Sequence, residues 1–294
     1  MRCAVSALYL LLTGVLCLLG ACSAPPPAAT RPAGPRVIST VPAATSIIMQ
    51  LGAAKSLVGV TKYDKLMLPT EFGDLPVIGD YLDLNYELLY QAHPTAVIVF
   101  MSAERVPPRL RELAQTEGFE VHNLKLDTIA DLYTTTEALG RMAGCPDTAS
   151  ARVAATRGEL AEIQAQYASR TPQPRVAYII GRNPLMLVGH GVFLDELITL
   201  AGGHNVGAEL GQGWPVTNRE RLLQLQPDVL LIGTPGEPPA QAEDPRLAPW
   251  LRDSTPAARN QRIYLHTDPN GQLLTLDIAQ QARELARNIH ATTP

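Results

Sequence analysis

Short apolar runs alternate along this chain with segments whose apolar residues recur every three or four positions. The runs at 36–41, 57–60, 96–100 and 120–124 predict strands, and those at 176–180, 229–232 and 263–266 predict a second set. Between them the three-to-four spacing predicts helices at 46–51, 107–117 and 129–143 in the first half. In the second half it predicts helices at 193–201 and from about 274 to 290. Strands and helices alternating at this pace give a parallel sheet with helical crossovers. One stretch breaks the rhythm. Residues 147–169 contain no proline and a single glycine, and Val153, Leu160, Ile163 and Tyr167 lie on one helical stripe. As one helix this stretch is roughly 35 Å long, and Thr171-Pro-Gln-Pro174 stops it.

The fold class expected is α/β, with two Rossmann-like lobes of parallel sheet joined by one long backbone helix. The boundaries are a first lobe at 36–146, a bridging helix at 147–170 and a second lobe at 171–294.

The two lobes carry a common signature. Tyr81, Asn85, Glu87 and Pro94 precede the run 96–100, and Trp214, Asn218, Glu220 and Pro227 precede the run 229–232. In both, an aromatic stands six residues before a glutamate, an asparagine two before it and a proline seven after it. Asparagine is a good N-cap, because its side-chain oxygen accepts from the free amides of the first turn. A glutamate in that first turn is favoured by the helix dipole. Dipole compensation alone accounts for one such residue. The same exposed acid at the same place on two lobes suggests paired docking points.

Ahead of the first lobe, residues 1–22 have the form of an export signal: Arg2, an apolar stretch at 4–19, then small residues before Cys22. Residues 23–35, rich in Pro and Ala, read as a tether. An ordinary cleaved signal and an uncleaved anchor are the alternatives to a lipid-modified Cys22. Of four cysteines, Cys3 and Cys17 fall in the leader and Cys145 remains alone, which leaves the domain without an intrachain disulfide or a cysteine–zinc cluster. A net charge of −4 with both signs interspersed excludes a basic stripe of the kind that binds nucleic acid.

Catalytic signatures are missing. Gly189-His-Gly191 lacks the third glycine and partner acid of a phosphate-cradling loop, and no nucleophile–histidine–acid set assembles from the spacing. An adhesive surface protein, the third functional class, has no need of matched acids. The six histidines show no His-x-His or His-x-x-x-His spacing, so no resident metal site is expected. His93 and His290 read as helix-end residues. His190, His204 and His266 read as loop residues of the second lobe, any one of which is a candidate axial ligand to a bound metal chelate.

With those residues in place, the chain resembles the periplasmic substrate-binding proteins of cobalamin, haem and iron–siderophore ABC importers, most of all the cobalamin-binding members. The resemblance rests on 36–45, 57–60, Asn85-x-Glu87, Leu194-x-Glu196-Leu197, 201–206 and Asn218-x-Glu220. It implies a non-enzymatic, monomeric, membrane-anchored carrier with no cofactor of its own, which holds a metal-chelate macrocycle between two lobes. Cobalamin is the first choice of ligand, and haem or a ferric siderophore the alternative. By the same resemblance Glu87 and Glu220 dock on arginines of the permease, Cys22 carries the lipid, and Tyr63, Tyr81, Phe100, Met186, Trp214 and Asp268 contact the ligand. From the residues alone, Tyr63, Tyr81 and Phe100 serve equally well as packing beneath loops, and Met186 as a filler of core gaps. Trp214, flanked by Gly213 and Pro215 in a loop that needs no core residue, is the strongest aromatic candidate. Two departures from the family pattern bear on the ligand: Thr45-Ser46 stands where many members have Thr-Glu, and Tyr and Phe replace tryptophans on the first lobe.

Overall fold

The computed structural model describes residues 33–65, 73–80, 83–167, 169–241 and 244–291. The first lobe runs β1 (Val37–Ser39), α1 (Pro42–Gln50), β2 (Leu57–Thr61), α2 (Lys62–Lys65), β3 (Val77–Gly79), α3 (Tyr86–Gln91), β4 (Ala96–Val99), α4 (Pro108–Glu117), β5 (Glu120–Asn123) and α5 (Ile129–Met142). Its five strands lie in the order β3-β2-β1-β4-β5 and every pairing is parallel.

The bridging helix is α6 (Pro146–Tyr167). The second lobe follows as β6 (Arg175–Arg182), β7 (Leu185–Leu187), α7 (Phe193–Leu200), β8 (His204–Asn205), α8 (Arg219–Gln224), β9 (Val229–Gly233), α9 (Ala248–Leu251), α10 (Pro256–Arg259), β10 (Ile263–His266) and α11 (Ile278–Ile289). Its order is β10-β9-β6-β7, with β8 also on β6. Here β9, β10 and β8 run parallel, whereas β7 folds back antiparallel on β6. Two parallel-sheet lobes connected by a long helix are therefore present, with one reversed edge strand.

Alternation along each strand sorts the cores. In the first lobe Val37 and Ile98 face a large central cluster, while Ile38, Val97 and Val99 face a separate outer one. In the second, Val176, Tyr178, Val229 and Leu231 join the same central cluster, and Ala177, Ile179, Leu230 and Ile232 turn outward. The central core thus runs through both lobes. Helix α6 supplies Ala149, Leu160 and Ile163 to it and packs against α5 on one side and α11 on the other. Gly140 lets α5 and α6 meet closely, since a Cβ there stands only 2.3 Å from the Cβ of Ala149.

Several sequence expectations need correction. The first helix starts at Pro42, not at 46: proline at the first helical position has no amide to satisfy, and its fixed φ suits the helix. The last helix starts at Ile278 rather than about 274. The Pro-rich stretch 235–249, which reads as a loop, runs at its end into the short helix α9, and α10 follows beyond it; each has a proline at its start. His266, which the run at 263–266 puts at the end of a strand and which also reads as a loop residue, is the buried end of β10. Cys145 sits half-buried in the turn between α5 and α6, where burial raises its thiol pKa. Among the described residues no helix is long and apolar enough to cross a membrane. Cys22, the leader and Tyr81 lie outside the described residues.

Candidate functional site: the cleft and the two helix tips

The repeated motif folds the same way twice. The Asn85 side chain accepts hydrogen bonds from the amides of Glu87 and Leu88 at 3.1 Å, and that of Asn218 accepts from Arg221 at 2.8 Å. Such caps contribute about 1 kcal/mol each. Glu87 and Glu220 both occupy the second helical position and both are exposed. Each helix also ends alike. His93 and Gln226, at φ 42° and 44°, stand in the left-handed region just before Pro94 and Pro227, where the following proline disfavours the right-handed helical conformation.

Their surroundings differ. Glu87 has Tyr86 and Leu88 beside it, with the Arg109 guanidinium 4.5 Å from the Tyr86 ring, and Gln91 donates to its carboxylate at 3.3 Å. Glu220 lies between Arg219, which bonds Asp253 at 2.6 Å, and Arg221, which bonds Gln224 at 3.0 Å.

Between the lobes lies a trough beyond the carboxyl ends of the strands, where open α/β sheets take ligands. One part, about 270 Å³, is lined by Phe100 from the end of β4 and by Trp214 from the loop before α8. Pro42, Asp127, Phe193 and the 272–274 segment complete its walls. An adjoining cavity, about 570 Å³ and lined by the first lobe alone, shares Val41, Pro42 and Phe100 and adds Met101 and Arg105. Phe100 is 47% exposed and Trp214 41%, so both rings offer apolar faces to the gap rather than to a core. The other tryptophan, Trp250, is buried in the outer cluster of the second lobe.

The Trp214 ring is held on a stiff platform. Backbone hydrogen bonds run from Leu187 to Pro215, Gly189 to Gly213, Gly213 to His190, His190 to Gly211 and Thr217 to Leu185. Gly189 allows the two segments to lie this close, because a Cβ there comes within 2.2 Å of the Gly211 carbonyl oxygen.

Polar ties cross from lobe to lobe at the floor of the trough. Gln50 of α1 donates to Asp277 at 2.5 Å and accepts from the Leu276 amide at 3.0 Å. The Phe193 amide donates to the Asp127 carbonyl at 2.7 Å, and the Ile129 amide donates to the Glu196 carboxylate at 2.7 Å. Burial pushes the Glu196 carboxyl pKa up, and the Ile129 bond draws it back in part.

The remaining candidates are scattered. Tyr63 lies on α2, 45% exposed, with the Lys62 amine 5.0 Å from its ring, and outside the two linings above. Met186 is half-buried on β7 and its terminal methyl covers Gly181. Asp268 accepts from the Asn270 amide at 2.8 Å and gathers with His266 and Glu284 below the trough. Val41, Pro42, Asp127, Phe193 and the 272–274 segment were not foreseen as lining. Their common signal is position, in the first residues after β1, β5 and β10 or at the start of α7.

A sequence profile described as periplasmic binding protein matches residues 37–269. The vitamin B12-binding protein of Salmonella typhimurium is 29% identical over 208 residues, which cover 70% of this chain and 75% of that protein. Among solved structures, a periplasmic haem-binding protein of Vibrio cholerae superposes with a TM-score of 0.72 at 23% identity, covering 87% of this chain and 98% of that one. The periplasmic vitamin B12-binding protein of the same organism gives 0.68 at 22%, with the same coverage.

Proposed function

The chain belongs to the periplasmic binding protein family, and from that premise we propose that it captures a metal-chelate macrocycle, cobalamin, between its lobes and delivers it to an ABC importer. The observation that carries the reading is that Phe100 and Trp214, one from each lobe, line a single cavity. A broad ligand with apolar faces gains from two exposed rings and needs few polar anchors. No bond in the ligand has to be made or broken, so the protein is read as a carrier and not an enzyme. The lipid anchor at Cys22 and the permease contacts of Glu87 and Glu220 belong to the same proposal. Charge-assisted pairing with arginine suits exposed carboxylates on two tips, which report both lobes at once.

The continuous core and the Gln50, Phe193 and Glu196 ties support a cleft that changes little on loading. Scattering with and without ligand should show no large compaction.

Arg105 at the trough favours a second ligand, haem, because its guanidinium can pair with the propionates. Calorimetric titration with cobalamin, haem and ferric siderophores in parallel decides among them. One equivalent of cobalamin bound, with the others weaker, is expected. Heat from haem or a siderophore alone reassigns the ligand, and no heat from any of the three removes the carrier reading.

A further inference from the structure

A cluster of one histidine and two acids lies outside the linings of both cavities. His266 closes β10 with its side chain fully buried. Its Nδ1 stands 2.6 Å from the Tyr178 hydroxyl, itself buried. Its Nε2 has no hydrogen-bond partner, and the Glu284 carboxylate lies 3.6 Å away, beyond hydrogen-bond reach. A buried ring nitrogen without a hydrogen bond is costly, and at 3.6 Å Glu284 offers it no more than a loose ion pair. Donor atoms of His266, Asp268 and Glu284 all fall within 4.8 Å of one another. Gly271 keeps the ring edge clear: a Cβ there comes within 2.7 Å of Cε1 and 3.0 Å of Nε2.

We infer that His266 Nε2, Asp268 and Glu284 form a binding site for a divalent transition cation of the zinc class. Imidazole nitrogen and carboxylate oxygen are both ligands of such ions, and three protein ligands leave a fourth position open. An Nδ1–H donated to the Tyr178 oxygen places the lone pair on Nε2, as the outer partner of a ligating histidine does. Bond lengths of about 2.0–2.2 Å require the three donors to draw in by roughly 1 Å, within reach of Glu284, whose side chain is 27% exposed. The two carboxylates carry negative charge that a dication balances. A bound ion also fixes the segment from Thr267 to Leu274, three residues of which line the trough. The site is independent of which chelate the trough takes.

Equilibrium dialysis of the tag-free full chain against zinc, without any chelate ligand, tests this. One tightly held equivalent is expected, with at least a tenfold weaker affinity in Asp268→Asn and in Glu284→Gln. An anomalous difference map from a zinc-soaked crystal of the unaltered protein should show a peak among the three side chains. Zinc retained unchanged in both variants, no stoichiometric zinc, or a peak elsewhere overturns the site and leaves His266 and Glu284 as a structural pair.

Discussion

The two lobes share one half of their sheet and differ in the other. In each, an arginine opens the first strand and turns back to the repeated helix. Arg36 donates to the Ala92 carbonyl at 2.7 and 3.0 Å and to the His93 carbonyl at 3.1 Å; Arg175 donates to the Leu225 carbonyl at 3.0 Å and to Glu209 at 3.1 Å. Their amides are matched too, Arg36 N–H donating to Thr95 Oγ1 and Arg175 N–H to Asp228 Oδ2, both at 2.9 Å. On the far side of the first strand the lobes part. The first has parallel β2 and β3 there; the second has only the two-residue β8 and the reversed β7. That reversal brings 185–190 against 211–217 and so builds the Trp214 platform. The repeated half presents helix tips, while the divergent edge shapes the cleft.

The largest effect that bears on this comparison is expected at the tips. Glu87→Ala with Glu220→Ala should abolish uptake in cells while calorimetric affinity stays unchanged; undiminished uptake removes the docking assignment. Because Glu220 sits between two arginines, Glu87→Ala alone should reduce uptake more than Glu220→Ala alone. The opposite order would mean that the flanking charges do not matter.

Next in size come the strand-opening arginines. Urea unfolding should place Arg36→Met about 2 kcal/mol below the unaltered protein, since it loses three charge-assisted bonds to backbone carbonyls, and Arg175→Met about 1 kcal/mol below. Equal losses would show that the two arginines act alike despite their different bonds.

Ring removal sharpens the comparison of cleft walls. Trp214→Ala should weaken ligand binding about tenfold, ~1.4 kcal/mol, and Phe100→Ala less, in keeping with its smaller face.

The smallest effect concerns His290 at the end of α11, stacked on Tyr167 at 4.8 Å and bonded to the Ala201 carbonyl at 2.8 Å. Burial holds its pKa below the usual 6.5, helped by Arg170 and Arg262 nearby. The unfolded chain therefore takes up this proton first. Its contribution is complete above about pH 6.5 and is lost as pH falls toward the lower folded value. Thermal melts of His290→Gln should depend less on acid over that window; identical pH profiles would exclude the effect.

What was legible in the sequence was what local chemistry dictates. Asn85 and Asn218 cap their helices as read, the 147–169 stretch forms α6 over Pro146–Tyr167, and the apolar runs fall on the strands of the central sheets. What escaped lies in segments too short to show a period or depends on partners distant in the chain. β3 and β7 are three residues each, too short to show a period, and exist through pairing with β2 and β6. His266, Asp268 and Glu284 carry no metal-like spacing because the last of them arrives on α11. The Gln50 tie joins residues more than 220 positions apart. Of the ligand candidates among the described residues, only Phe100 and Trp214 meet in one cavity, since a resemblance carries residue types but not the loop geometry that aims them.

The core that passes without a break from Val37 through α6 to Ile289 has a consequence for how the molecule can be cut. A fragment ending within α6 would lay bare Leu160, Ile163 and the inner faces of both sheets, a large sticky surface with no partner. The halves are thus poor candidates for separate expression, and calorimetry should record their melting as one cooperative event.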